Sequence, residues 1–168
     1  ASRKPGVCSK ARGPSMKLDT DFSDRVVLVT GAAQGIGREI ARSFVMANAD
    51  VRLADIDQEG VRQVSDELGA GYFCLDLADE NATTEMVETI YKHHGNLHIL
   101  VHAAGGVCGQ IGQPIDMVSM DNWRVIFEAN VDSAFCLARA AAPRMRENGF
   151  GRIINISSGA GLRPSLTG

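Results

Sequence analysis

The stretch Val26-Val27-Leu28-Val29-Thr30-Gly31-Ala32-Ala33-Gln34-Gly35-Ile36-Gly37 constrains the fold more than any other part of the chain. An aliphatic, mostly β-branched run stops at a glycine-punctuated turn. A helical pattern with Ile36, Ile40 and Phe44 at intervals of four starts at once. An apolar run without alternation suits a strand buried on both faces, as in a parallel sheet covered by helices. The order strand, tight turn, helix places free backbone N–H groups and the positive end of a helix dipole where the strand ends, which suits a phosphate. Glycine is needed there because a Cβ would hold a pyrophosphate away from the backbone. A turn that merely packs tightly uses the same residues, so the motif needs support from elsewhere in the chain.

That support begins with repetition of the same alternation. The first strand is predicted over Arg25–Thr30 and the first helix from Gly35 to Ala47, with Asn48 as a left-handed residue just past its end. Val51–Asp55 reads as a second strand, followed by a helix capped by Asp57 and running through Leu68. Tyr72–Leu75 is a third strand. Asp79 or Asn81 opens a helix that reaches His93 or His94 and closes at Gly95. Leu97–His102 is a fourth strand, followed by a glycine-rich loop from Gly105 to Gly112. Ser119 caps a single long helix to Glu147, with an apolar stripe of Trp123, Phe127, Ala134, Leu137 and Ala141 and a kink or trimmed end at Pro143. Arg152–Ser157 is a fifth strand. Strands alternating with helices through short connections predict an α/β fold, a Rossmann-type doubly wound parallel sheet built with right-handed crossovers.

Charge divides the chain. Residues 1–15 carry Arg3, Lys4, Lys10 and Arg12 and no acid, which leaves a net −7 for the remainder if the whole is −3. Residues 1–20 therefore read as a disordered basic leader, and 21–168 as one domain. The acidic body argues against nucleic-acid binding by the folded part. No apolar run reaches the length of a membrane span. The four cysteines, at 8, 74, 108 and 136, form no Cys-x-x-Cys and no metal-ligand spacing, which suggests reduced thiols in a cytoplasmic protein and no metal site.

In such sheets ligands bind beyond the carboxyl ends of the strands. The second strand ends in Asp55, followed by Ile56. An acid there can hold both ribose hydroxyls of an adenosine and repel a 2′-phosphate. Gln34 gives the glycine turn no basic residue for such a phosphate. NAD is therefore expected in preference to NADP. Helical spacing puts Asn130 on the Trp123–Phe127 stripe, where a buried amide needs hydrogen-bond partners.

These residues resemble the short-chain dehydrogenase/reductase family, in order, over roughly 25–168. The matching features are Thr30-Gly31-x-x-x-Gly35-x-Gly37, Asp55, Asp76, the Ala104-Gly105 pair, Asn130 and Asn155-Ile156-Ser157-Ser158. The family's Asn-Asn-Ala-Gly reads His102-Ala103-Ala104-Gly105 here, a departure expected to weaken the polar support of that loop. The resemblance implies hydride transfer between a nicotinamide and an alcohol or carbonyl substrate. It implies Gly31, Gln34, Gly35, Ile36 and Gly37 at the pyrophosphate, Asp55 and Ile56 at the ribose, and Asp76 and Leu77 at the adenine. Ala103, Ala104 and Gly105 would line the nicotinamide. Ser158 would hydrogen-bond the substrate oxygen and Asn130 would hold a water of the proton relay. A homodimer or homotetramer is implied, with Trp123, Phe127 and Phe135 as packing surface.

The family's acid/base is a tyrosine with a lysine four residues on, expected roughly thirteen residues past Ser158. Tyr72 and Tyr91 are the tyrosines of the sequence, and neither begins Tyr-x-x-x-Lys. The expectation is a truncated dehydrogenase with about five of the usual seven strands, inactive as it stands. The alternative is a non-catalytic nucleotide-binding or interaction fragment.

Overall fold

A computed structural model describes residues 20–159. Residues 1–19 of the expected basic leader, Cys8 among them, lie outside those residues. Five strands, β1 (Val26–Thr30), β2 (Asp50–Asp55), β3 (Gly71–Cys74), β4 (Ile99–His102) and β5 (Arg152–Asn155), form one sheet in the order β3-β2-β1-β4-β5. Every pairing is parallel, with Val27 facing Val51 on one side and Ile99 on the other. The chain leaves β1 toward β2 and β3, then returns past it to β4. The strand order therefore reverses between β1 and β4, and the ends of these two strands frame the switch point.

Helices cover both faces, as the unalternating apolar strands require. Leu28 and Leu100 point toward α3 (Glu80–His94) and α5 (Ser133–Glu147), where they pack with Val87, Ile90, Leu137 and Ala141. Val27, Val29 and Leu53 point to the other face and pack with Ala41 of α1 (Gly35–Met46) and with Val61 and Val64 of α2 (Gln58–Leu68). The caps follow local chemistry. Asp57 accepts from the Gly60 amide and Asp79 accepts from the Asn81 and Ala82 amides, while Gly69 and Gly95 close α2 and α3 in the left-handed region. Asn48, at φ 66°, takes the expected left-handed place after α1.

Three expectations need correction. The helix predicted from Ser119 to Glu147 is not continuous. It consists of α4 (Met120–Phe127), a π-helical segment (Glu128–Asp132) and α5. Two side chains take helix carbonyls across this stretch: Asn130 Nδ2 donates to the Ile126 carbonyl and Ser133 Oγ donates to the Ala129 carbonyl, both at 2.8 Å. The apolar stripe breaks with it, so Leu137 and Ala141 are buried whereas Trp123 and Phe127 are exposed. Pro143 lies inside α5, which nevertheless runs on to Glu147 with Ala141 and Met145 held in the core. The fifth strand ends at Asn155, short of Ser157, and all four of its residues are exposed.

Candidate functional site

The glycine turn after β1 is built by backbone contact. Gly31, at φ 65°, stands so close to the segment after β4 that a Cβ would lie 2.5 Å from the Ala104 nitrogen and 2.7 Å from the Ala103 carbonyl. A Cβ on Gly37, at the start of α1, would collide with the Gly31 carbonyl oxygen. Gly35 is the opposite case. Its φ is 55°, and nothing lies within 4 Å of where a Cβ would stand. Two glycines thus fold the turn onto itself and its neighbour, and the third leaves an open concavity at the N-terminus of α1. Gln34, Gly35 and Ile36 are exposed around it, with Gly37 buried beneath. These residues fit a dinucleotide pyrophosphate, since the opening is lined by backbone and by a helix N-terminus without an acidic residue in its first turn.

Asp55 closes the next side. Its Oδ2 accepts from the Ala33 amide at 2.9 Å and its Oδ1 from the Asp57 amide at 3.0 Å. The carboxylate thus ties the glycine turn to the end of β2. Ile56 is 69% exposed beside it. Asp76 is exposed and accepts from the Ala78 amide at 2.9 Å, while Leu77 is buried in the core.

Beyond β4, Ala103 and Ala104 are partly buried and Gly105 is exposed. This loop is pinned at both ends. At its far end Asn130 Oδ1 accepts from the Gly106 amide at 3.0 Å and Nδ2 donates to the Gly106 carbonyl at 2.8 Å. With the Ile126 carbonyl as its third partner, the amide spends both hydrogens on backbone. Asn130 is nonetheless exposed, not buried as its spacing suggested, and so are Trp123 and Phe127 of the same stripe. At the near end His102 is buried. Its Nδ1 lies 2.8 Å from Thr30 Oγ1 and its Nε2 lies 3.2 Å from Ser133 Oγ. Burial holds the imidazole below the usual histidine range. The histidine therefore supplies polar support where the departure from Asn-Asn-Ala-Gly suggested a loss. Ser158 is exposed on the segment that leaves β5, after Ile156 donates to the His102 carbonyl at 2.9 Å.

The structure thus brings Gly31, Gly37, Asp55, Ala103, Ala104, Gly105 and Asn130 into one set of contacts. Thr30, His102 and Ser133 were not recognised as its supports. The available signals were a histidine ending a buried apolar strand and a serine three residues after Asn130. An apolar groove of about 780 Å³ borders the turn at Gly35 and Ile36, then runs along α1 past Ile40 and Phe44. It lies apart from Asp55 and the β4 loop. Among the described residues there is no cluster of three metal-ligating side chains and no helix long and apolar enough to cross a membrane.

The family model for short chain dehydrogenases matches residues 25–168. The chain belongs to that family. It is 34% identical over 145 residues to the NADP-dependent 3-hydroxy acid dehydrogenase YdfG of Shigella flexneri, a match covering 85% of this chain and 58% of the relative. Among solved structures, a short-chain type dehydrogenase/reductase from Mycobacterium ulcerans superposes with a TM-score of 0.82 at 31% identity, over 86% of this chain and 55% of that one. A Shigella flexneri short chain dehydrogenase complexed with NADP superposes with a TM-score of 0.78 at 27% identity, over 87% and 64%. The chain spans little more than half the length of the curated relatives it matches.

The expected preference for NAD over NADP is overturned by these comparisons, since one relative is NADP-dependent and one neighbour was solved with NADP. The expectation requires Asp55 to face the ribose as an uncommitted negative charge. In the structure both of its oxygens accept from backbone amides, so its first task is to hold the glycine turn.

Proposed function

We propose that residues 25–168 form the dinucleotide-binding part of a nicotinamide-dependent oxidoreductase that interconverts an alcohol and a carbonyl. The observation that carries this reading is the glycine turn at the switch point. Its backbone closes on Ala103 and Ala104 at one glycine and leaves an open concavity at another. Gly31, Gln34, Gly35, Ile36 and Gly37 would hold the pyrophosphate. Asp55 and Ile56 would border the adenosine ribose, and Asp76 with the backbone at Leu77 the adenine. Ala103, Ala104 and Gly105 would give the nicotinamide a flat wall without long side chains. When bound, the nicotinamide supplies the carbon that gives or takes the hydride. Ser158 would hydrogen-bond the substrate oxygen and help hold it in reacting geometry. Asn130 acts through the loop it pins, with a lone pair of Oδ1 left for a water.

The sequence contains no Tyr-x-x-x-Lys, so its residues include no counterpart of the family's acid/base pair. A positioned general acid typically contributes about 10²–10⁴-fold. We therefore read these 168 residues as competent to bind dinucleotide but not to turn over substrate. The dehydrogenase relatives favour an oxidoreductase origin over a non-catalytic interaction module. A homodimer or homotetramer is supported by Trp123, Phe127 and Phe135, which stand 44%, 41% and 61% exposed on α4 and α5. The free thiols of Cys74, Cys108 and Cys136 support a cytoplasmic setting.

Titration of the chain with NADPH and, separately, NADH, followed by the fluorescence of the reduced nicotinamide, tests the reading. Saturable binding of at least one is expected. Saturation by neither would remove the proposal.

A further inference from the structure

We propose that His102 is a positioning residue of the dinucleotide site, fixed as the tautomer with hydrogen on Nε2, and that it locks the Ala103–Gly105 loop between the glycine turn and the π segment. It rests on the dinucleotide-binding reading above.

The tautomer follows from counting hydrogens. Ser133 has one hydroxyl hydrogen, and the Ala129 carbonyl, 2.8 Å away, can only accept. With that hydrogen committed, the serine oxygen can only accept from His102 Nε2 at 3.2 Å, so Nε2 carries the hydrogen. Nδ1 is then bare and accepts from the Thr30 hydroxyl at 2.8 Å. Every hydrogen along Thr30, His102, Ser133 and Ala129 points the same way, and each donor has one acceptor. In the other tautomer Ser133 must turn its hydrogen toward Nε2. Two oxygens would then face each other at 2.8 Å with no hydrogen between them. The protonated ring has a donor on each nitrogen and cannot accept from Thr30 at all. Burial, which opposes that charge, acts in the same direction as the geometry.

The position of this chain of bonds gives it a role. Thr30 immediately precedes Gly31, the glycine that touches the Ala103–Ala104 peptide. The Thr30 carbonyl accepts from the Ala103 amide at 3.3 Å. Ser133 lies just past the π segment, and Asn130 within that segment pins Gly106 at the far end of the same loop. His102 and Asn130 are therefore the near and far fastenings of one short loop to one irregular stretch of helix. Loss of the near fastening leaves the loop attached at Gly106 and, through the Ala103 amide, at the Thr30 carbonyl, but with no side-chain tie from β4 to α5.

Two measurements on the whole chain test this. Long-range ¹H–¹⁵N correlation spectra should show His102 with Nε2 protonated and Nδ1 bare at neutral pH. In Ser133→Ala the ring should lose its single-tautomer signature. NADPH titrations should show about tenfold weaker binding in Ser133→Ala and in His102→Leu, the scale of one lost buried hydrogen bond. His102→Asn, which keeps a polar group toward Thr30, should recover part of that loss, a rescue that a purely space-filling histidine would not show. A protonated Nδ1 in the native chain, or unchanged NADPH affinity in Ser133→Ala, would overturn the proposal. A native chain that shows the stated tautomer but binds neither NADPH nor NADH would refute the dinucleotide reading and the positioning role with it.

Discussion

The turn after β1 and the loop after β4 meet at the carboxyl end of the two adjacent central strands, yet they are held in different ways. The turn is backbone against backbone: Gly31 on the Ala103–Ala104 peptide and Gly37 on the Gly31 carbonyl, with the Ala33 amide on the Asp55 carboxylate and the Ala32 amide on the Ala54 carbonyl tying it to the end of β2. The loop is held by side chains that reach in from a helix, Asn130 to Gly106 and Ser133 to His102. A turn of the first kind tolerates no added atom. A loop of the second kind can lose a contact and still keep its shape in part. Rigidity is therefore expected at the glycine turn and adjustability at the loop after β4.

The sharpest way to break this comparison is Gly37→Ala. The new methyl has nowhere to go but into backbone, so the variant should lose dinucleotide binding and at least about 3 kcal/mol of stability, read by urea unfolding and NADPH titration. Loss of binding without loss of stability would mean that the turn can open. Next comes a pair of truncations on either side of the switch point. Leu28→Ala, at 0% exposure in β1, should cost about 2–5 kcal/mol in chemical denaturation, and Ile153→Ala, at 36% in β5, roughly 1 kcal/mol or less. Equal costs would show that the β5 side is packed more firmly than its exposure indicates.

Asn130→Ala removes three hydrogen bonds from an exposed amide. It should cost about 1 kcal/mol in stability while weakening NADPH binding roughly tenfold, because the loop loses its far fastening. Unchanged affinity would show that Gly106 is held without it. The smallest effect expected is a pH dependence. Burial lowers the folded-state proton affinity of both His98 and His102. His98 Nδ1 accepts from the Val26 amide at 2.9 Å, a bond that protonation removes. For a lowered histidine the unfolded chain binds the proton more readily, so stability is fully present above the ordinary pKa, about 6.5, and falls as pH drops through the folded value. Melting temperatures across pH 5–8 should decline on the acid side, less so in His102→Gln. A flat profile would contradict the buried neutral ring.

This contrast also explains what could be read from residues alone. The turn was legible because its information is local: glycines at fixed intervals, an apolar run before them and a helical period after. Asp57, Asp79 and Gly95 were legible for the same reason, since each acts within a few residues of itself. The second region depends on partners far apart in the chain. Nothing adjacent to His102 announces that Thr30 and Ser133 will meet its two nitrogens. Periodicity alone predicts one continuous helix, because a π segment leaves no mark in the apolar spacing. Asn130 and Ser133 take two carbonyls with their side chains, and the apolar register before the π segment no longer matches the register after it.

The central place of β1 has a consequence for how the chain assembles. Val27 pairs with Val51 across a short crossover, but with Ile99 only after α2, β3 and α3 have been spanned. Loop closure costs more for the second pairing, and synthesis delivers its partner later. The β1–α1–β2 unit should therefore form while the inner side of Gly31 still faces water, and the arrival of Ala103 should seal it. Pulse-labelled hydrogen exchange should report this as protection at Val51 and Leu53 preceding protection at Val101. On this order the glycine turn matures early, and the Ala103–Ala104 wall behind it matures late.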